Sequence, residues 1–171
     1  MNEYHPISFG NFYHKKASGG QLKLSNRDVL YQVATIGLFQ VEAIQAGFHP
    51  SEVEEHLTIP KYDLVPVEIN ADILKGLGFG MLNKDEFILR LPERVMGSTY
   101  MLVAFDNDRI WLSYTSNPSK GHGECLREVE YIHQIQNAWI GITDRYLYLS
   151  EEYIRENYPI QSLRRKITSK Q

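Results

Sequence analysis

Residues 127–149, with the sequence REVEYIHQIQNAWIGITDRYLYL, decide how this chain folds. Their apolar side chains recur at the three-to-four spacing that places them on one face of a helix: Ile132, Ile135, Trp139 and Ile142. A polar set falls on the adjoining flank of the same helix: His133, Gln136 and Asn137. The segment therefore predicts a helix over 131–143 that buries one apolar stripe and carries polar side chains beside it.

The residues around this helix predict the sheet on which it packs. Apolar and β-branched runs indicate strands at 87–91, 99–105, 109–114 and 125–129, with Asp106-Asn107-Asp108 as the turn of a hairpin. A short strand at 146–149 and a terminal helix that follows Ser150 complete this half of the chain. The predicted fold class is α+β, with an antiparallel sheet of about four or five strands and a C-terminal helix packed on it.

The N-terminal third predicts a smaller lobe of strands and helices. Its shorter elements are strands at 7–15 and 21–24 and a helix at 51–57. The core that follows begins with a strand at 64–69 and a helix at 71–77, which Asn70 caps. For 26–45 a helix is favoured, because its apolar residues can share one face and Gly47 suits a helix C-terminus. Two strands are the alternative, since β-branched residues recur along this segment and Gly37 would interrupt a helix.

These elements divide the chain into three predicted parts: an N-terminal lobe at 1–63, an α+β core at 64–158 and a flexible basic tail at 159–171. The composition is that of a globular protein, with 43% hydrophobic and 23% charged residues among 171. A formal net charge of −3 provides no positive field for nucleic acid or an anionic membrane, so neither is an expected partner. No apolar run approaches the roughly 20 residues that a spanning helix needs, so we expect no membrane insertion.

Cysteine content limits the chemistry that this chain can carry. The single Cys125 excludes an internal disulfide and fits a reducing cytoplasm, where we expect the protein to act. His122-Gly123-Glu124 matches the H-x-E half of a zinc deaminase signature, but the second half needs two more cysteines. Cys125 could pair with His122 or His133 as a nucleophile, yet a cysteine in a strand is usually an inert core residue. The sequence therefore predicts no catalytic residue, no metal site and no cofactor.

Two further features have both a functional and a structural interpretation. The glycines of Gly76-Leu77-Gly78-Phe79-Gly80 superficially suggest a phosphate-binding loop, but they close a predicted helix instead of opening one. His122, His133, Gln136 and Asn137 are the candidate residues for binding a ligand or a partner. The alternative for the helix-borne members is that they satisfy buried carbonyls at the end of a neighbouring strand.

Three segments resemble a family of small bacterial proteins that occur in phages and prophages. Residues 131–143, YIHQIQNAWIGIT, resemble the C-terminal "VHQLQN-aromatic-ALT" signature of that family. Residues 7–12, ISFGNF, are similar to its "R-x-G-N-x-V" motif, and residues 65–79 are similar to its "PIPLTEEWLxxxGF" element. Asn70-Ala71-Asp72 departs from the usual Thr-Glu-Glu, and 28–59 is poorly matched. The resemblance implies a phage or mobile-element context and assigns no catalytic residue.

Three functional hypotheses follow. The leading one is a non-enzymatic, phage- or mobile-element-like accessory protein that binds another protein and inhibits a host system. The resemblance implies this role, and the absence of a complete catalytic constellation in the sequence agrees with it. The second is a small-ligand or nucleotide-binding protein that uses the loop at 115–123 together with His133. The third is an enzyme of unknown type. A concave pocket near His122 and His133 would favour ligand chemistry over recognition by a surface.

Overall fold

The computed structural model describes residues 7–8, 10–15, 29–46, 56–92, 99–118 and 124–158. Across them the protein has the predicted α+β fold, with two antiparallel five-stranded sheets and three α-helices. None of these described helices has the length and apolar character that crossing a membrane requires. The predicted strand at 21–24, most of the predicted helix at 51–57 and the tail at 159–171 lie outside the described residues.

The first sheet is built from the N-terminal third of the chain. Its strands are β1 (Phe12–Lys15), β2 (Tyr31–Ile36), β3 (Gln40–Gln45), β4 (Leu57–Pro60) and β5 (Leu64–Pro66), in the spatial order β4-β3-β2-β1-β5. Every neighbouring pair is antiparallel. Buried residues from all five strands form its own core cluster: Tyr13, Val33, Val41, Ala43, Ile59 and Leu64. Since β5 pairs with β1, the predicted boundary at 63/64 falls between two strands of this sheet.

The helix predicted over 26–45 is wrong, and the alternative of two strands is what the structure contains. β2 and β3 form an antiparallel hairpin in which Ile36 lies opposite Val41 and Tyr31 opposite Gln45. The strands are favoured over a helix because β2 also pairs with β1 and β3 also pairs with β4. The backbone N–H and C=O groups of both strands therefore have hydrogen-bond partners on two sides. The β-branched residues then pack on a pleated surface, which suits their restricted rotamers.

Other N-terminal elements are shorter than predicted. β1 covers only the end of the predicted strand at 7–15, and Gly10 provides the expected bend with a φ of 80°. Leu57, predicted to end a helix, begins β4. The strand predicted at 64–69 stops at Pro66, because the chain leaves the sheet there. Ile69 N then donates to Glu130 O, and Ile132 N donates to Val67 O.

The second sheet is an antiparallel meander formed by the middle of the chain. Its strands are β6 (Gly80–Met81), β7 (Glu86–Arg90), β8 (Tyr100–Asp106), β9 (Arg109–Thr115) and β10 (Glu124–Glu128). The order β10-β9-β8-β7-β6 follows the sequence, and four of the five strands coincide with predicted ones to within two residues. The β8–β9 hairpin turns at Asn107, whose φ of 53° is the left-handed conformation that asparagine tolerates.

Helix α2 (Ile132–Thr143) packs on this sheet as the apolar spacing predicts. Ile132, Ile135 and Trp139 belong to a buried cluster with sheet residues of β7, β8 and β9: Phe87, Met101, Val103 and Leu112. Phe12 and Leu30 from the N-terminal third join the same cluster. The main core therefore lies under α2 and links both sheets.

Two short helices flank α2 as predicted. In α1 (Ala71–Gly76) the Asn70 side chain accepts a hydrogen bond from Ile73 N, and in α3 (Glu151–Asn157) Ser150 accepts one from Tyr153 N. These are the N-cap contacts that satisfy free N–H groups in a first helical turn. The strand predicted at 146–149 is absent from these described residues. Its Leu147 carbonyl bonds to the Gln136 side chain instead of to a neighbouring strand.

Candidate functional site

Gln136, one of the predicted site residues, faces the protein interior. Its side chain is buried, and its amide joins α2 to two other segments. Gln136 Oε1 accepts a hydrogen bond from Phe12 N at 3.2 Å. Gln136 Nε2 donates to Gly10 O at 3.2 Å and to Leu147 O at 2.8 Å. Three buried backbone groups thus find their partners in one side chain, which is the structural interpretation weighed from the sequence.

The other predicted site residues do not gather at an open surface of the described structure. The His133 side chain is fully buried, and its ring stacks on Tyr13 at 5.3 Å and on Tyr131 at 5.8 Å between centroids. Asn137, next to Gln136 in sequence, is half-buried. His122 lies outside the described residues. The structure therefore places His133 and Gln136 among packed groups that hold α2 against β1.

The glycine-rich segment at 76–80 closes α1, as expected for a helix C-terminus. Gly78 has a φ of 90°, and its N–H donates to Lys75 O at 2.9 Å. Phe79 N donates to Leu74 O, which completes the pattern of bonds that ends a helix. Because the helix N-terminus lies at the other end, these glycines do not present free N–H groups of a helix to a phosphate.

The largest exposed apolar side chains lie together at one end of the first sheet. Leu38 and Phe39 are each 78% exposed in the turn between β2 and β3, and Tyr62 is 75% exposed. Ile36, at the end of β2, is 41% exposed. We call Ile36, Leu38, Phe39 and Tyr62 the tip surface. Exposed apolar groups are normal singly, and several around one turn make this surface a candidate for interaction.

Backbone hydrogen bonds fix the tip surface in place. Gly37 N donates to Gln40 O at 2.9 Å and closes the turn. Lys61 N donates to Phe39 O at 3.0 Å, which brings the residue before Tyr62 against the turn. Gln40 also lies opposite Pro60 in the β3–β4 pair. The turn is consequently supported by β4 and by the 3-10 turn Lys61–Asp63 that follows it.

A cavity of about 490 Å³ opens on the second sheet. Its floor includes Leu102 and Ala104 of β8 and Ser113 of β9, and Trp111 forms part of its wall. Leu102 lies opposite Ser113, and Ala104 opposite Trp111, so these four side chains share one face of the sheet. Met101 and Val103 alternate with them and point into the core under α2. The cavity therefore lies on the face that α2 does not cover.

The described lining of the cavity is acidic. Asp85 and Glu86 reach it from the start of β7, and Asp106 reaches it from the end of β8. Phe105 N donates to Asp85 O at 2.8 Å, which holds the turn before β7 against β8. Across the described residues, no group of three or more His, Cys, Asp or Glu side chains is placed to hold a metal ion.

Comparisons of the chain with protein-family models, with curated proteins and with solved structures found no match. The phage-type resemblance therefore remains a prediction, and function has to be argued from the tip surface and the cavity. Neither was among the predicted sites. A turn signal at Gly37 between two β-branched runs could have indicated an exposed Leu38-Phe39, whereas the cavity depends on strand register that the sequence does not reveal.

Proposed function

We propose that this protein is a non-enzymatic accessory protein that acts by binding another protein through the tip surface. The observation that supports this most is the exposure of Leu38 and Phe39, 78% each, at a turn held by backbone bonds. Leucine and phenylalanine side chains are usually buried, and a folded protein gains nothing from leaving two neighbours in water. Contact with a partner removes that apolar surface from water.

Burial of the tip surface would contribute part of the free energy of association with a partner. Burying Leu38 and Phe39 fully would contribute about 3 to 6 kcal/mol, which is roughly two to four orders of magnitude in affinity. Tyr62 adds an aromatic ring with a polar tip, a residue type enriched in protein interfaces. Because the turn is already ordered by β4, little conformational entropy is lost when a partner binds.

The resemblance to phage- and prophage-associated proteins supports a host protein as the partner and inhibition of a host system as the role. The single Cys125 supports action in the reducing cytoplasm, where free thiols persist. Both statements belong to the proposal. A partner should therefore be sought in the soluble cytoplasmic fraction of a bacterial host lysate.

Capture from that lysate tests the proposal with two matched double variants. Leu38→Ser/Phe39→Ser removes the two most exposed apolar groups of the tip surface. Met81→Ser/Leu82→Ser removes two exposed apolar groups, 64% and 40% exposed, from the edge of the second sheet. All three proteins should melt at similar temperatures, because exposed side chains contribute little to folding.

We expect the wild-type chain and the Met81/Leu82 variant to retain the same host protein, and the Leu38/Phe39 variant to lose it. The affinity of the identified protein, measured by calorimetry, should fall at least tenfold for the Leu38/Phe39 variant alone. Equal retention by both variants would refute the tip surface as the binding site. Retention of nothing by the wild-type chain would argue against a host partner.

A further inference from the structure

The cavity on the face of the second sheet opposite α2 has a charge pattern that selects its ligand. Among the described residues that line it, the charged ones are all carboxylates: Asp85, Glu86 and Asp106. Three like charges around one concavity create a local negative potential. The cavity should therefore concentrate cations and repel anions.

Among the described residues, the groups that contact these carboxylates compensate little of their charge. Glu86 accepts a hydrogen bond from the Asn83 amide, and Asp106 accepts one from the Asn107 amide at 3.0 Å. A neutral amide orients a carboxylate but does not cancel its charge. Lys84 Nζ lies 3.5 Å from Asp85 Oδ2, with 88% of the lysine side chain exposed, so solvent screens this pair strongly.

The remaining lining is suited to an organic cation more than to a metal ion. Trp111 is half-buried in the wall, and an indole face attracts ammonium and guanidinium groups through its quadrupole. Ala104 is half-buried in the lining and offers apolar contact to an aliphatic stem. A volume of about 490 Å³ is that of a small-molecule pocket, and the described carboxylates form no metal-binding group.

We infer that this cavity binds an ammonium or guanidinium group carried on an aliphatic stem. The charged head lies among Asp85, Glu86 and Asp106, and the stem lies along Trp111 and Ala104. A free polyamine and an arginine side chain of a peptide both have this chemistry. The site is separate from the tip surface, so its failure and the failure of the proposed protein binding are distinguishable.

Tryptophan fluorescence measures occupancy directly, because the chain has two tryptophans and only one of them lies at the cavity. Trp139 is 8% exposed in the core, whereas Trp111 is accessible from the cavity. Millimolar spermidine and N-acetyl-arginine amide are the two probes. Octanediol and glutarate are the neutral and anionic controls of similar stem length. The Trp111→Phe variant shows whether the signal comes from Trp111.

We expect saturable fluorescence changes with one or both cationic probes and none with octanediol or glutarate. The Glu86→Gln/Asp106→Asn variant should bind at least tenfold more weakly. Glu68→Gln/Glu156→Gln, which removes two exposed carboxylates that do not line the cavity, should bind as the wild type does. Raising salt from about 0.1 M to about 1 M shortens the screening length from about 10 Å to about 3 Å and should weaken binding.

The two probes separate the two sources of the cation. Saturation by spermidine alone assigns the cavity to free polyamines, saturation by the arginine amide alone assigns it to an arginine side chain, and saturation by both supports the shared chemistry. Absence of saturation with either cation overturns the inference. So does unchanged affinity in the Glu86→Gln/Asp106→Asn variant, provided that its thermal melting matches that of the wild type.

Discussion

Gln136 and Phe12 are 124 positions apart in sequence, yet the Gln136 side chain accepts a hydrogen bond from the Phe12 backbone at 3.2 Å. The same amide bonds to Gly10 O and Leu147 O. The Gln136 side chain on α2 thus binds the backbone around β1 and the segment after α2, and it holds both against the core. The polar flank of α2 is in this respect a structural connection between distant parts of the chain.

Removing this amide should destabilise the fold strongly. Gln136→Ala leaves one buried N–H and two buried carbonyls without their partner, and each unsatisfied group costs about 1 to 3 kcal/mol. Since neighbouring groups can rearrange in part, we expect a loss of about 2 to 4 kcal/mol in the free energy of unfolding. Urea denaturation followed by circular dichroism measures it. A loss below about 1 kcal/mol would show that Gln136 is not the connection described here.

Trp139 should be the most costly side chain of α2 to truncate. Trp139→Ala removes a nearly buried ring from the core cluster, and such truncations cost about 3 to 5 kcal/mol. Ile140→Ala is the matched control, because Ile140 is only half-buried and does not belong to that cluster. Denaturation of both variants should show a loss for Trp139→Ala several times that for Ile140→Ala. Equal losses would place Trp139 outside the core.

Two glycines in helices should respond in opposite directions to the same substitution. A Cβ at Gly76 would lie 2.5 Å from the Tyr153 ring, where α1 packs on α3, so Gly76→Ala should destabilise by about 1 to 3 kcal/mol. A Cβ at Gly141 in α2 meets no atom within 4 Å. Gly141→Ala should therefore stabilise by about 0.5 to 1 kcal/mol, since alanine loses less backbone entropy in a helix. Thermal melting gives both signs, and a stabilising Gly76→Ala would contradict the α1–α3 contact.

The hydroxyl of Tyr13 should make the protein sensitive to alkali. Burial raises the pKa of Tyr13, and its Oη has no hydrogen-bond partner among the described residues. The folded state favours the neutral phenol. The stability of the fold therefore does not depend on Tyr13 ionisation below the unfolded pKa near 10, and it falls as the pH rises above that value. Tyr13→Phe should keep the ring stacked on His133 and raise stability at neutral pH by about 1 kcal/mol.

Denaturation of the Tyr13→Phe protein at neutral pH and at about pH 11 tests both statements. Its stability should fall less with pH than that of the wild type, although Tyr153 and Tyr158, whose pKa values are also raised mainly by burial, keep some alkaline sensitivity. Tyr62→Phe, at a 75% exposed position, is the control and should change stability little. An unchanged alkaline slope in Tyr13→Phe would contradict the burial of its hydroxyl.

The sequence predicts the C-terminal half well because local pattern and tertiary packing agree there. Ile132, Ile135 and Trp139 have a spacing that only a helix can bury on one side, and the strands at 86–115 are apolar and aromatic runs bounded by polar turn residues. Asn70 and Ser150 likewise indicate helix starts through a side-chain bond that is local in sequence. Elements that are stabilised by contacts between residues close in sequence are those that can be predicted from the sequence.

The N-terminal sheet and both proposed sites depend on contacts that are distant in sequence. Residues 31–45 are compatible with a helix until β1 and β4 are present to bond their backbone, and Gly37 is the one turn residue that marks the hairpin in the sequence. An exposed Phe39 looks the same in sequence as a buried one. Asp85 and Trp111 meet at one cavity only because of the strand order β9-β8-β7.

Site-specific photocrosslinking tests most directly whether the tip surface binds a protein partner. A benzophenone side chain at position 39, in the tip surface, is compared with one at position 81, an exposed methionine on the second sheet. After irradiation in host lysate, we expect a discrete crosslinked protein from position 39 and none from position 81. The same product from both positions, or none from position 39, would contradict binding through the tip surface.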